Sequence, residues 1–236
     1  MIFVLTACGG GQAVAPVGNY RGQAKPPPTV YHVKSGDTLY SISWRYGMDY
    51  KAVARINGIR SPYTIYVGQK LYFKSHSSSS KSQARTKGTT TSQAEKRKKT
   101  VTVTPDPRVS GNQNLSWRWP ADGRIISTYS KTAAGRKGID IAGRSGQKII
   151  AAADGKVVYS GNGLTRYGNL IIIKHNNAYL SAYAHNKTLL VKEGQWVKGG
   201  QSIATLGRTG TDREQLHFEI RRNGKPVDPM RFLPKR

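Results

Sequence analysis

The segment Gln215-Leu216-His217-Phe218-Glu219-Ile220 alternates polar and apolar residues without a break. Because successive side chains of a β-strand point to opposite faces, this pattern predicts a strand with its apolar residues in a core and its polar residues on the other face. Residues 179–185 alternate in the same way and end in His185. We therefore expect His185 and His217 to project together from the polar face of one sheet.

The sequence around these two strands is rich in short β-prone runs. They are separated by turns that contain glycine, and none has the periodicity of an amphipathic helix. The remaining runs are residues 125–126, 148–151, 156–159, 170–174 and 203–206. The dipeptides Asp154-Gly155 and Asn223-Gly224 are typical of tight β-hairpin turns. Residues 117–236 are therefore predicted to form an all-β sheet domain.

Three motifs in this domain carry the groups that could do chemistry: Arg136-Lys137-Gly138-Ile139-Asp140, Tyr183-Ala184-His185 and Gln215-Leu216-His217. They resemble the motifs His-x-Gly-x-Asp, Tyr-x-His and His-x-His of the LytM-type (M23) peptidoglycan metalloendopeptidases. The resemblance implies that the metal ligands of the family fall on Arg136, Asp140 and His217, and its catalytic histidines on His185 and Gln215. One ligand and one catalytic histidine are thus replaced.

The two replacements predict a site that is not catalytic. Arg136 has no lone pair for a metal and keeps its positive charge, so we expect it to repel zinc and to form an ion pair with Asp140. Gln215 forms hydrogen bonds but transfers no proton. We therefore predict no catalytic residue, no metal and no cofactor, and a groove formed by Arg136, Asp140, His185, Gln215 and His217. A zinc endopeptidase that cleaves peptidoglycan cross-links through a rearranged site is the alternative.

A second, smaller module is predicted at residues 30–73. Asp37 and Asp49 are each placed to cap a helix, and Asn57-Gly58 ends the second helix. β-prone runs flank the two helices, which gives the order βααβ. The chain is thus predicted to be a multidomain protein.

This module resembles a LysM domain through Tyr31-x-Val33-x-x-Gly36-Asp37-Thr38-Leu39, Asn57-Gly58-Ile59 and Ile65-x-Val67-Gly68-Gln69-x-Leu71. LysM domains bind glycans that contain N-acetylglucosamine, chiefly peptidoglycan and chitin, in a shallow groove between two loops. The resemblance implies glycan-binding residues at Gly36, Asp37, Thr38, Pro62, Tyr63, Thr64 and Ile65.

The two domains are separated by low-complexity sequence. Residues 74–116 contain runs of serine, threonine and lysine with few apolar residues, which predicts a disordered basic linker. Residues 9–29 are rich in glycine and proline and are predicted to be an extended tether. We expect the long linker to leave each domain free to act alone.

The N-terminus holds the single cysteine of the chain. Leu5-Thr6-Ala7-Cys8 resembles a bacterial lipobox, so residues 1–8 are interpreted as the remnant of a lipoprotein signal and Cys8 as the lipidated residue. Gly9 follows Cys8, which in the lipoprotein sorting rule implies an anchor in the outer membrane facing the periplasm. A short disordered N-terminus with a free thiol is the alternative.

The formal net charge is +26, and the excess of lysine and arginine is spread over both domains and the linker. Such a surface attracts polyanions, among them nucleic acids, acidic lipids and the carboxylates of peptidoglycan stem peptides. The basic run Lys96-Arg97-Lys98-Lys99 has no aromatic residue near it to stack on bases. A nucleic acid is therefore not the expected partner.

A lipobox, a LysM domain, a basic linker and a degenerate LytM domain, in this order, resemble the NlpD-like lipoprotein activators of cell-wall amidases. The resemblance implies a protein that does not cut peptidoglycan. It would bind peptidoglycan and a periplasmic N-acetylmuramoyl-L-alanine amidase during cell-wall remodelling and daughter-cell separation. A purely structural wall tether and a nucleic-acid binder remain as further alternatives.

Overall fold

The computed structural model describes residues 26–74, 115–132 and 136–236 of the 236-residue chain. Cys8, most of the N-terminal tether and almost the whole linker lie outside the described residues, so the statements about them stay predictions. Within the described part, no helix is both long enough and apolar enough to cross a membrane.

The N-terminal module, residues 30–73, has the predicted βααβ order. Its elements are β1 (Val30–His32), α1 (Leu39–Arg45), α2 (Tyr50–Ile56) and β2 (Lys70–Tyr72). The two strands pair antiparallel. Leu39 and Ile42 lie on one face of α1 because they are one helical turn apart, and they pack with Val53 and Leu71 in a small core.

The first helix is capped by Thr38 and not by Asp37. Thr38 Oγ1 accepts a hydrogen bond from the Ser41 backbone N–H at 3.0 Å, and Ser41 Oγ accepts one from the Thr38 N–H at 3.0 Å, which forms a capping box. Asp37 instead accepts from the Tyr31 hydroxyl at 2.6 Å and from the Lys34 N–H at 2.9 Å. The prediction for Asp37 was wrong because this carboxylate closes the loop before the helix.

The second helix begins and ends where the sequence predicts. Asp49 Oδ1 accepts a hydrogen bond from the Lys51 backbone N–H at 3.1 Å and so caps α2. Asn57 ends the helix, and its side-chain amide exchanges hydrogen bonds of 2.7 and 2.8 Å with the backbone of Tyr72 in β2. Asn57 therefore joins the helices to the small sheet.

The sheet domain, residues 117–236, is mostly β-structure as predicted. Its strands are β3 (Ile125–Ser127), β4 (Ile139–Ala142), β5 (Lys148–Ile150), β6 (Gly155–Gly161), β7 (Asn169–Lys174), β8 (Tyr179–Leu189), β9 (Trp196–Val197), β10 (Ser202–Leu206), β11 (Gln215–Arg222) and β12 (Lys225–Val227). The main sheet has the order β3-β4-β11-β8-β7-β6-β9, with β12 beside β11 and with β10 joining β5 to β8. A single 3-10 turn at Pro229–Arg231 is the helical element of the described part of this domain.

One of the two predicted hairpins is present. Asn223 and Gly224 have φ angles of 50° and 76° and connect β11 to its antiparallel partner β12. Asp154-Gly155 does not form a hairpin, since β5 pairs with β10 while β6 pairs with β7 and β9. The Asp154 carboxylate instead accepts from the Gly199 N–H at 2.7 Å. The hairpin prediction was wrong because Asp154 bonds to Gly199, a residue 45 positions further along the chain.

Both faces of the main sheet are buried. Ile171 and Ile173 of β7 point into the core of the sheet domain, whereas Leu170 and Ile172 point to the opposite face. On that opposite face they meet side chains from β6, β8 and the N-terminal module: Val158, Leu180, Ala182, Ala184, Trp44 and Tyr50. The N-terminal module thus covers an apolar part of the sheet.

Polar groups also join the two domains. Arg221 of β11 is 1% exposed, donates from Nη1 to the Trp44 carbonyl oxygen at 3.0 Å, and holds its guanidinium 3.5 Å from the centroid of the Trp44 ring. Arg45 Nη2 donates to the Gly163 carbonyl oxygen at 3.2 Å. The long linker does not keep the domains apart, because their surfaces fit each other; that each domain is able to act alone stays a prediction.

Candidate functional site

The candidate site lies on the sheet face that the N-terminal module also contacts. His217 of β11 pairs with Asp140 of β4 on one side and with Ala184 of β8 on the other. Paired residues of neighbouring antiparallel strands share a face, so all three lie on the same side of the sheet. Four of the five predicted groove residues line one cavity there: Asp140, His185, Gln215 and His217.

His217 is held between two carboxylates. Its Nδ1 is 2.6 Å from Asp140 Oδ1, and its Nε2 is 3.2 Å from Glu219 Oε1. Burial alone would lower the pKa of His217, but the hydrogen bonds to Asp140 and Glu219 outweigh it and raise this pKa to about 9. His217 is therefore an imidazolium at neutral pH, and both of its nitrogens donate.

The chain of charges continues along β11. Burial would raise the pKa of Glu219, but Arg221 and His217 lower it to about 2. Arg221 Nε donates to Glu219 Oε2 at 2.9 Å, and the Tyr167 hydroxyl donates to Glu219 Oε1 at 2.8 Å. Because His217, Glu219 and Arg221 alternate along one strand face, a continuous row of charge-assisted hydrogen bonds runs from Asp140 to the N-terminal module.

His185 reaches the site in a way that alternation did not predict. His217 pairs with Ala184, so a regular strand would turn His185 to the other face, beside Tyr183. His185 has a φ of 65°, and this left-handed backbone conformation turns its side chain towards the site. Its ring centroid lies 6.1 Å from that of His217. Burial, with the positive charge of His217, lowers the pKa of His185, although its Nδ1 lies 2.8 Å from the Thr209 carbonyl oxygen. His185 is therefore neutral at pH 7.

Arg136 does not take the place that the sequence suggested. It is exposed, it is not among the residues that line the cavity, and the described residues show no ion pair between it and Asp140, which pairs with His217. Its neighbour Lys137 lines the cavity instead. Burial and the nearby charge of Arg221 lower the pKa of Lys137. Lys137 was not among the predicted site residues, because the family motif gives its position no role.

The donor set does not fit a zinc ion. A catalytic zinc site needs three protein ligands with free lone pairs and one open position. Here both nitrogens of His217 are engaged with Asp140 and Glu219, and Arg136 contributes no lone pair. The residues that the structure describes contain no group of three or more histidine, cysteine, aspartate or glutamate side chains arranged for a metal.

The two loops predicted to bind glycan lie in different surroundings. The first loop, with Gly36 at a φ of 78°, borders the same cavity as His217, but the side chains of Asp37 and Thr38 are used within the loop and the helix cap. In the second loop, Pro62 and Thr64 are exposed, whereas Ile65 packs on the module core.

Tyr63 of the second loop faces the sheet domain. Its ring stands edge-on to Tyr50 with centroids 5.2 Å apart, and Lys174 Nζ lies 5.8 Å from the Tyr63 centroid. Tyr66 and Val67, directly after this loop, are each 72% exposed. Val67 belongs to the LysM motif, but neither alternation nor motif spacing singled out Tyr66.

Comparison with known proteins agrees with the two-domain organisation. The LysM domain model matches residues 31–74, and the model for peptidase family M23 matches residues 134–229. The lipoprotein NlpD/LppB homolog of Pseudomonas aeruginosa is 45% identical over 99% of this chain and 89% of that protein. The murein hydrolase activator NlpD of Escherichia coli is 41% identical over 94% of this chain and 70% of that protein.

A solved structure of a putative M23 peptidase from Pseudomonas aeruginosa is 30% identical, with a TM-score of 0.48 over 53% of this chain and 54% of that chain. The family follows from the sequence relatives, whose similarity extends over most of both chains. The chain therefore belongs to the NlpD family, with a LysM domain followed by an M23-type domain.

Proposed function

We propose that the protein is a non-catalytic activator of a periplasmic N-acetylmuramoyl-L-alanine amidase. It holds peptidoglycan through the N-terminal module and acts from a lipid anchor at Cys8 in the outer membrane. Family membership supports a peptidoglycan-related role, and the Escherichia coli relative is named a murein hydrolase activator. The relatives are also named as lipoproteins, which supports the anchor.

The observation that carries the proposal is the engagement of His217. In a zinc peptidase this position would offer a lone pair to the metal, but here the imidazolium donates to Asp140 and Glu219. Gln215, at the position of a catalytic histidine, transfers no proton. Of the family's site positions, 136 and 215 thus carry replacements, Asp140 and His217 are bonded to each other, and His185 lies against the Thr209 carbonyl oxygen.

What remains is a preorganised polar concavity. The buried ion pairs fix the side chains at its base, so little order has to be gained when a partner binds. A groove of this kind suits a protein segment that offers complementary hydrogen bonds. We propose that a regulatory segment of the amidase binds at the end of the cavity formed by His185 and Gln215, and that this releases the amidase active site.

A dye-release assay on purified cell wall tests the proposal. The full-length protein alone should release no dye, whereas an amidase should release much more dye when the protein is present. An amidase with an inactivated zinc site serves as the control and should stay inactive with or without the protein. Release by the protein alone, abolished by a chelator, would establish the endopeptidase alternative.

Gln215→Arg tests where the amidase binds. A long cation at this buried position fills the proposed binding end, so stimulation should fall by roughly tenfold or more, in line with the loss of a central interface contact. Thr188→Arg is the matched control. Thr188 is exposed on β8, so this substitution adds the same charge outside the cavity. Equal stimulation by the two variants would place the amidase elsewhere.

A further inference from the structure

The cavity that contains the candidate site is shared by both domains. It has a volume of about 1190 Å³, and the N-terminal module contributes Lys34, Ser35, Gly36, Asp37, Arg45 and Tyr46 to its lining. Pockets for single small molecules usually measure about 300–1,000 Å³. A cavity of this size, lined by both domains, has room for an extended ligand that contacts both domains at once.

The lining indicates the charge of that ligand. Lys137 is half-buried, lines the cavity, and makes no ion pair or side-chain hydrogen bond with any described residue. The nearby carboxylates are already engaged: Glu219 with Arg221 and His217, and Asp140 with His217. A partly desolvated ammonium that forms no ion pair with any described residue is unfavourable, and a bound anion would relieve this cost.

The N-terminal module supplies the other half of the site. Its first loop, residues 34–37, belongs to the part of a LysM domain expected to bind glycan, and this loop opens into the cavity that Lys137 lines. A glycan on the loop would therefore direct its substituents towards the sheet domain. In peptidoglycan those substituents are peptides that carry carboxylates.

We propose that the cavity binds a peptidoglycan fragment that spans both domains, with its sugars on the loop at residues 34–37 and a stem-peptide carboxylate at Lys137. This inference rests on the proposed glycan binding of the N-terminal module. It leaves the end formed by His185 and Gln215 to the amidase. Wall substrate and activated enzyme would then meet in one cavity.

Calorimetric titration of the full-length protein tests this with three ligands: a disaccharide-peptide from purified wall, the same disaccharide without peptide, and the free peptide. The disaccharide-peptide should bind tightest. Lys137→Met should weaken the disaccharide-peptide by about tenfold, the usual size of a lost charge-assisted hydrogen bond, and leave the peptide-free sugar unchanged. Lys34→Glu, on the loop that holds the sugars, should weaken both the disaccharide-peptide and the peptide-free disaccharide.

Lys70→Met is the control, because Lys70 is an exposed lysine of β2 outside the cavity, and it should change none of the three affinities. Equal affinity for the sugar with and without peptide would overturn the inference. So would an unchanged affinity for the disaccharide-peptide in Lys137→Met. If that variant loses amidase stimulation but keeps the disaccharide-peptide, the cavity serves the amidase alone, and the inference fails while the proposed function stands.

Discussion

At the scale of single residues, His217 decides what the groove is able to bind. Its side chain is 11% exposed, and both nitrogens donate to buried or half-buried carboxylates. A metal would have to displace one charge-assisted hydrogen bond to reach either nitrogen. Both nitrogens of His217 are therefore already engaged, independently of the residue at position 136.

Replacement of Arg136 by histidine tests how this engagement affects zinc binding. Arg136→His restores a missing ligand type but leaves His217 engaged, so zinc affinity should rise only modestly and stay below that of a zinc peptidase. The measurement is zinc content after dialysis, by mass spectrometry of the metal. Arg144→His, at another exposed arginine, is the control and should bind no additional zinc. One tightly bound zinc per unmodified chain would contradict the expectation.

His175 gives a pH dependence at the same scale. Its Nδ1 is 2.7 Å from the Asp154 carbonyl oxygen and its Nε2 is 2.7 Å from Ser181 Oγ. Burial outweighs the influence of Asp154 and lowers the pKa of His175 to about 4. An unfolded histidine titrates near pH 6.5, so the unfolded state takes up a proton first as the pH falls. The free energy of unfolding should decrease between about pH 6.5 and 4, by up to ~3 kcal/mol.

Urea denaturation at pH 7, 5 and 4 measures this decrease. His175→Gln removes the titrating group and should lower stability at pH 7 but flatten its dependence on pH. His32→Gln, at an exposed histidine, should keep the full dependence of the unmodified protein. The same acid-induced loss in His175→Gln and the unmodified protein would show that another group is responsible.

At the scale of elements, β11 connects the candidate site to the domain interface. Gln215 and His217 lie at one end of the strand in the cavity, and Arg221 lies at the other end against Trp44. Glu219, between them, is bonded in both directions. Consecutive hydrogen bonds along one strand therefore connect His217 to the N-terminal module.

Arg221→Met tests the buried ion pair of this strand. It leaves the Glu219 carboxylate buried without its arginine, which should lower the free energy of unfolding by about 3–5 kcal/mol. Adding Glu219→Gln removes the unpaired charge, so the double variant should be more stable than the Arg221→Met variant. Urea denaturation measures both. A double variant that loses the sum of the two single losses would show that the pair does not interact.

Much of the element structure could be predicted, because strand alternation and helix caps are local signals. The polar face of β11 and the cap at Asp49 followed from residues within a few positions of each other. The hairpin predicted at Asp154-Gly155 is not formed, because the hydrogen-bond partner of Asp154, Gly199, is far away in the sequence. The predicted ion pair between Arg136 and Asp140 is absent among the described residues for a related reason, since Asp140 bonds to His217 on another strand. Local sequence patterns do not reveal contacts between segments that are far apart in the chain.

At the scale of the whole molecule, the fit of the two domains depends on a glycine. Gly224 has a φ of 76°, and a Cβ atom there would lie 2.5 Å from the Asp49 backbone nitrogen in the N-terminal module. The hairpin between β11 and β12 approaches the start of α2 this closely because no side chain intervenes. A side chain at position 224 should therefore push the domains apart.

Gly224→Ala is predicted to separate the domains in part. Amide hydrogen exchange in α1 should become faster, and the radius of gyration from X-ray scattering should increase. Gly194→Ala is a matched control, because Gly194 has a φ of 85° and its Cβ would have no neighbour within 4 Å. It imposes similar backbone strain without a clash between domains. Unchanged exchange in α1 of Gly224→Ala would contradict the docked arrangement.

The contact between Trp44 and Arg221 also has a consequence for biosynthesis, because 177 residues separate the two. At a synthesis rate of about 5–20 residues per second, Trp44 precedes Arg221 by roughly 9–35 s. Until then the surface around Trp44 and Tyr50 has no sheet to cover it. Newly made chains thus carry an uncovered aromatic patch that is buried only when the last long strand is complete.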